Sequence, residues 1–243
     1  MTVLSTRSVG KLSEIPERMR QVVLGATDLL AARYPGILAV EVVGSLSQGC
    51  HDGHSDVDLV IVCREIPAET TVYKEVRASW NTVGFNFFTY TPRKIAKVYK
   101  AGTSEAWAIF RGLPVYDPKG VLKRYVGNKP PPPSVRWIRF VLDRQKTCNP
   151  VLQGTWMVLE CVQILAGMRK GEMPSCKRMI LEAFRELPEA AALHKAASVL
   201  SRRRPEKGWG RKDSEVLAAA VGVLSDAIRA DLRRYRRSAV GAS

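Results

Sequence analysis

Long apolar runs are what this chain of 243 residues most conspicuously lacks. No stretch reads as apolar enough to cross a bilayer, and the opening MTVLSTRSVGKLSE has no apolar segment of a secretory leader, so cytoplasmic residence is the expectation. Histidine is scarce, at three residues. No Ser-His-Asp arrangement, P-loop or Cys-x-x-Cys occurs, which leaves those hydrolytic, P-loop and thiol-redox chemistries without their residues. The five cysteines, Cys50, Cys63, Cys148, Cys161 and Cys176, are odd in number, widely spaced and mostly set in apolar surroundings. Buried free thiols are expected rather than disulfides or a zinc site. Acidic residues are also few, 23 against 38 lysines and arginines, for a net charge of +15. The imbalance lies in the second half: residues 1–128 hold 16 bases and 12 acids, residues 129–243 hold 22 and 11. Such a surface would attract a polyanion such as nucleic acid, although solvated arginine-rich helix faces account for the charge equally well.

The most informative stretch is GSLSQGCHDGHSDVDLVIV, Gly44 to Val62. LAVEVV before it reads as a strand, Gly44-Ser45 breaks that strand, and VDLVIV reads as a second one beginning at Asp56-Val57-Asp58. Side chains two apart on a strand share a face, so Asp56 and Asp58 aim at one point while Val57 turns into the core. Two carboxylates that close repel unless a divalent cation sits between them. Gly44 lets the backbone approach a phosphate closely, and Ser45 and Ser55 can offer it hydroxyls. A hairpin with solubilising acids at a strand end would need only one of the two. His51 and His54 flank Asp52 in the intervening loop and read as solvated loop residues rather than metal ligands.

In order, spacing and strand context the pattern G-S-x10-D-x-D resembles the nucleotidyltransferase superfamily that includes polymerase beta and the aminoglycoside nucleotidyltransferases. The resemblance implies an α+β fold, a mixed sheet with flanking helices followed by a helical C-terminal bundle. It also implies magnesium held by Asp56 and Asp58, with ATP or another NTP as substrate. A third carboxylate on the third strand is usual in the superfamily. TVGFNFFTYT offers only Asn86 in mid-strand, and an amide can ligate a cation through its oxygen but cannot act as a base. A structural amide is as good a reading of Asn86 as a place beside the metal.

Along the chain, PERMRQVVLGATDLLAARY predicts an amphipathic entry helix, and AETTVYKEVRAS, TPRKIAKVYK and SEAWAIFRG predict further helices. GLPVYDPKG predicts a short edge strand. Four prolines, Pro130 to Pro133, then form a stiff spacer, placing the boundary between domains 1–128 and 129–243. Beyond it every segment reads as helical. Within the apolar helix NPVLQGTWMVLECVQILAGMRKG, Glu160 reads either as a surface acid, the preferred reading, or as a cleft carboxylate able to act as a base. GMRKGEMPSCKRMI resembles the aminoglycoside enzymes' glycine-bearing turn into a Ser-(x)-Lys helix start. That resemblance implies that Lys177 reaches the nucleotide phosphates, whereas a solvated lysine is the plain alternative.

The expected function is magnesium-dependent transfer of an NMP, AMP foremost, from an NTP to an acceptor hydroxyl. The alternative is an impaired relative that binds nucleotide or nucleic acid, the latter through its basic helical half. Polycationic antibiotics require clustered carboxylates, and the helical half has twice as many bases as acids, which weighs against such an acceptor.

Overall fold

The computed structural model describes residues 12–52, 55–65, 71–202 and 208–240. Its chain forms two compact units, residues 1–100 with 105–130, and residues 101–104 with 131–243. A single division at the proline run therefore misses one exchange: the short segment 101–104 belongs to the second unit.

The first unit is built on a four-stranded sheet of order β3-β2-β1-β4. Helix α1 (Glu17–Arg33) starts after Pro16, carries an acid in its first turn and a base in its last, and buries Val22, Val23, Ala26 and Leu30. Strands β1 (Ile37–Val43) and β2 (Val57–Cys63) pair antiparallel, joined through a single helical turn, α2 (Gly44–Ser47). Helix α3 (Thr71–Ser79) precedes β3 (Phe85–Tyr90), which runs parallel to β2. The predicted start of α3, residues 68–70, lies outside the described residues. Helices α4 (Pro92–Lys100) and α5 (Ser104–Phe110) lead to β4 (Leu113–Tyr116), an edge strand antiparallel to β1. β1 and β2 are near-continuous apolar runs because both faces are covered. Val40, Val42, Leu59 and Ile61 pack with α1 on one side, and Ala39, Val43, Val60 and Val62 pack with Ile95, Ile109 and Leu122 on the other.

Glu41 interrupts the second of these faces. It is wholly buried, and neither carboxylate oxygen has a hydrogen-bond partner among the described residues. Gly112 lies so close that a methyl group there would collide with it. Burial holds its carboxyl well above the usual range, and Asp117 adds repulsion. An acid held protonated in the fold binds more protons than the unfolded chain once pH exceeds its ordinary value near 4.5. Stability should then be fully present below that value and fall as pH rises towards the folded value, by up to about 1.4 kcal/mol per pH unit. Glu41→Gln is expected to flatten this fall. In urea unfolding at about pH 5 and pH 8, the variant's advantage over the native chain should grow with pH. Equal differences at both would show that Glu41 ionises in the fold without penalty.

The second unit is helical: α6 (Val135–Gln145), α7 (Pro150–Lys170), α8 (Lys177–Arg185), a 3-10 segment (Pro188–Leu193), α9 (His194–Ser201) and α10 (Arg211–Val240). The predicted helix from Pro188 onward thus begins as a tighter turn, whose Glu189 is held by both terminal nitrogens of Arg169 at 3.0 and 2.8 Å. Ser134 caps α6 by accepting from Trp137 N, and Asn149 caps α7 by accepting from Val151 N at 2.9 Å. Pro150 opens α7 and Gly171, with φ 69°, closes it.

α7 corrects the reading that no segment could span a bilayer: its 21 residues are long and apolar enough by length and composition. It is apolar nearly all round because it is a central core helix, with Met157, Val158, Cys161, Val162, Ile164 and Leu165 buried among α6, α8 and α10. All five cysteines are free thiols, with Cys63, Cys161 and Cys176 buried.

Candidate functional site

The site is set by the register of three backbone segments in the first unit. Parallel pairing puts Asp58 of β2 beside Asn86 of β3, and Val57 N donates to Gly84 O at 2.8 Å. Asp56 stands one residue before β2, exposed, while Asp58 is half-buried. The Asn86 amide bridges the two acids, donating through Nδ2 to Asp58 Oδ1 at 2.9 Å and, more weakly, to Asp56 Oδ2 at 3.5 Å. The two carboxylates expected from strand alternation therefore do converge, and the Asn86 amide lies against both.

Two glycines fit around these acids. Gly44 turns the chain out of β1 with φ 70°, and a methyl group on it would collide with Asp58 Oδ2. Gly84, which the sequence reading overlooked, stands in the same relation to Asp56 Oδ1. A glycine two residues ahead of the polar position in TVGFNFF was the available signal. Burial lifts the Asp58 carboxyl to about 6, opposed by its bond from Asn86 and reinforced by Asp56. The pair is thus an anionic site held together by one neutral donor.

Ser45 lies half-buried in α2, and its hydroxyl has no hydrogen-bond partner among the described residues. Ser47 Oγ and Gln48 Nε2 both donate to Gly44 O, at 3.1 and 3.0 Å, which fixes the turn. The Ser55 hydroxyl donates to Asp52 Oδ1 at 3.1 Å and accepts from Asp52 N at 2.9 Å, so it closes its own loop instead of facing outward. His51 is half-buried rather than solvated, with Nδ1 shut from solvent and no partner among the described residues. His54 lies outside the described residues.

The remaining candidates stand on the helical unit. Lys177 begins α8, and its ammonium donates to Arg202 O at 3.3 Å. Glu160 is a correction to the preferred reading of a surface acid: it is only 4% exposed, and Arg144 Nη2 donates to both its oxygens at 2.5 and 2.6 Å. The packing of α6 on α7, sixteen residues apart in sequence, supplies a partner that no local pattern announces. A carboxylate engaged in this way is an anchor, not a free base.

Among the described residues no group of three or more His, Cys, Asp or Glu gathers as a metal site. The donors at Asp56 and Asp58 nonetheless suit a hard divalent cation, which commonly takes one or two protein carboxylates and completes its shell with substrate phosphates and water. Asn86 could join them by turning its amide, since which end of the amide faces the acids follows from its partners.

No family model matches the chain, and no curated protein matches it in sequence. Solved structures do. A spectinomycin adenyltransferase from Enterococcus faecialis, crystallised with ATP and spectinomycin, superposes with a TM-score of 0.58 at 12% identity, covering 86% of this chain and 98% of that one. A toxin-antitoxin structure with AMP-PNP (TM-score 0.33, 12% identity, 50% of this chain and 90% of that one) is a weaker likeness. So is a nucleotidyltransferase-like protein from Exiguobacterium sibiricum 255-15 (0.34, 12%, 91% and 80%). The mixed sheet, the helical C-terminal region and the first of these superpositions give the chain a nucleotidyltransferase-like α+β fold.

Proposed function

We propose that the chain transfers a nucleotidyl group, AMP foremost, from an NTP to an acceptor hydroxyl in the cytoplasm, with magnesium as cofactor. The observation that carries this reading is the close fit of Gly44 and Gly84 around a converging Asp56–Asp58 pair. A backbone shaped by two glycines to accommodate repelling acids is costly without a cation to hold. The ATP in the spectinomycin enzyme supports an adenine nucleotide as donor.

Asp56 and Asp58 would hold the cation, with Asn86 beside them. Magnesium, when bound, supplies charge that neutralises the triphosphate and lowers the pKa of the attacking hydroxyl. Ser45, whose hydroxyl is uncommitted among the described residues, would donate to a phosphate oxygen, with the Gly44 turn giving the backbone its close approach. The acceptor oxygen bonds to the α-phosphorus as the bond to pyrophosphate breaks, and the hydroxyl proton passes to water. Asn86 offers no basic atom for that proton.

The same observation favours a second reading, a protein that binds nucleotide with little turnover. Calorimetric titration with ATP, with and without magnesium, and a screen of hydroxyl acceptors with radiolabelled NTPs test both. Magnesium-dependent affinity with label transfer is the expected result. Affinity without transfer moves the conclusion to the second reading, and no magnesium-dependent affinity for any NTP overturns both.

A further inference from the structure

Among the described residues the most exposed large apolar side chains of the helical unit are Phe140 at 59%, Leu152 at 47% and Trp156 at 46%. The helices carrying them already have satisfied core faces, through Ile138, Val141 and Leu142 on α6 and Met157 and Val158 on α7. The exposed residues therefore belong to the outer sides. Phe140 and Arg144 are one turn apart on α6, as are Leu152 and Trp156 on α7. Arg144 joins the two rows, with its guanidinium 4.2 Å from the Trp156 ring centre and 5.6 Å from that of Phe140.

This arginine is held in place from beneath. Glu160, buried, binds it through both oxygens. A buried acid paired with an arginine costs desolvation, and losing either partner leaves a buried charge less well paired. The return is a flat cation fixed between two exposed rings. Arg136, one turn before Phe140, and Arg139 are exposed on the same helix.

We propose that this face of α6 and α7 binds single-stranded nucleic acid, with bases stacked on Phe140 and Trp156 and phosphates met by Arg136 and Arg139. Alternating aromatic rings and guanidinium planes are what unpaired bases stack on, whatever their sequence, and nearby arginines follow the backbone. The charge decides among occupants. Residues 129–243 carry twice as many bases as acids, so a second copy would bring like charge to like, whereas a polyanion is attracted. This inference does not depend on nucleotidyl transfer, and its test uses neither a nucleoside triphosphate nor magnesium.

The full chain is titrated into a fluorescein-labelled oligouridylate of twelve nucleotides, read by anisotropy over a range of salt. Expected are binding that weakens steeply with salt and losses of about tenfold or more for Phe140→Ala and for Trp156→Ala. Arg139→Gln should lower the slope of log affinity against log salt by about 0.7. Lys195→Gln, an exposed lysine on α9, should stay within about twofold of the native chain. Melting curves establish that each variant is folded, and Phe140, the most exposed of the three, is the substitution least able to disturb the core. Unchanged affinity in folded Phe140→Ala and Trp156→Ala overturns the proposal, as does failure to bind at low salt. Tighter binding of a labelled polyglutamate peptide at the same face overturns it in favour of an acidic protein partner. A change in sedimentation caused by Phe140→Ala overturns it in favour of self-association.

Discussion

Replacing Asp56 and Asp58 together with alanine is expected to remove magnesium-dependent ATP affinity, by more than about a hundredfold, while leaving the fold intact and more stable. The reasoning joins two observations. Asp56 precedes β2 and Asp58 is its second residue, and the apolar core beneath is filled by Val57 and Leu59 instead of by the carboxylates. Burial also penalises Asp58 in its charged form, and Asp56 adds repulsion. Without a cation, then, the pair is a local cost to the protein. Its removal should raise the melting temperature by a few degrees, roughly 1 kcal/mol for a unit of this size. Calorimetry and thermal melting of the same preparation measure both effects. Native-like affinity for ATP with magnesium in the double variant would move the nucleotide site elsewhere, and a large loss of stability would make the pair structural.

Asn86→Asp should have the opposite profile. Asn86 now donates to Asp58 and Asp56, so an aspartate in its place puts three carboxylates within hydrogen-bonding reach and removes the donor that holds two of them together. Without magnesium the variant should melt several degrees below the native chain, and magnesium should stabilise it more than it does the native chain. If the missing base is what limits transfer, turnover should rise by about 10²–10⁴-fold. Brisk native turnover left unchanged by Asn86→Asp would mean that this position is not where the proton goes.

The geometry of the candidate site was legible where its information is local. Gly44-Ser45 and Asp56-Val57-Asp58 stand close together in sequence, strand alternation forces the two acids onto one side, and the apolar runs around them declare β1 and β2. Asn86 was legible too, because only one polar residue stands mid-strand among phenylalanines. What stayed hidden depends on contacts between distant segments. Gly84 is required by a carboxylate 28 residues earlier, and Glu160 turned from surface acid into buried anchor through an arginine on the preceding helix. Glu41 reads as one acid in an apolar strand, and only the covering of both sheet faces makes it wholly buried. The apolar character of α7 is likewise ambiguous alone, since a core helix and a membrane span share it.

The segment 101–104 bears on how such a protein could be cut and rejoined. The chain passes from one unit to the other three times, after residues 100, 104 and 130. Ala101 O accepts from Ser134 N at 3.0 Å, and Gly102, with φ 61°, lies so close to the Pro131 and Pro132 carbonyls that no side chain fits there. A gene fragment beginning at the prolines would therefore encode helices lacking the strap that holds their first turn. Recombination at that point would not exchange a self-sufficient cassette. A transplantable helical module would have to begin at Ala101 and carry α5 and β4 along as passengers, which binds the inheritance of the two halves more tightly than one proline hinge would suggest.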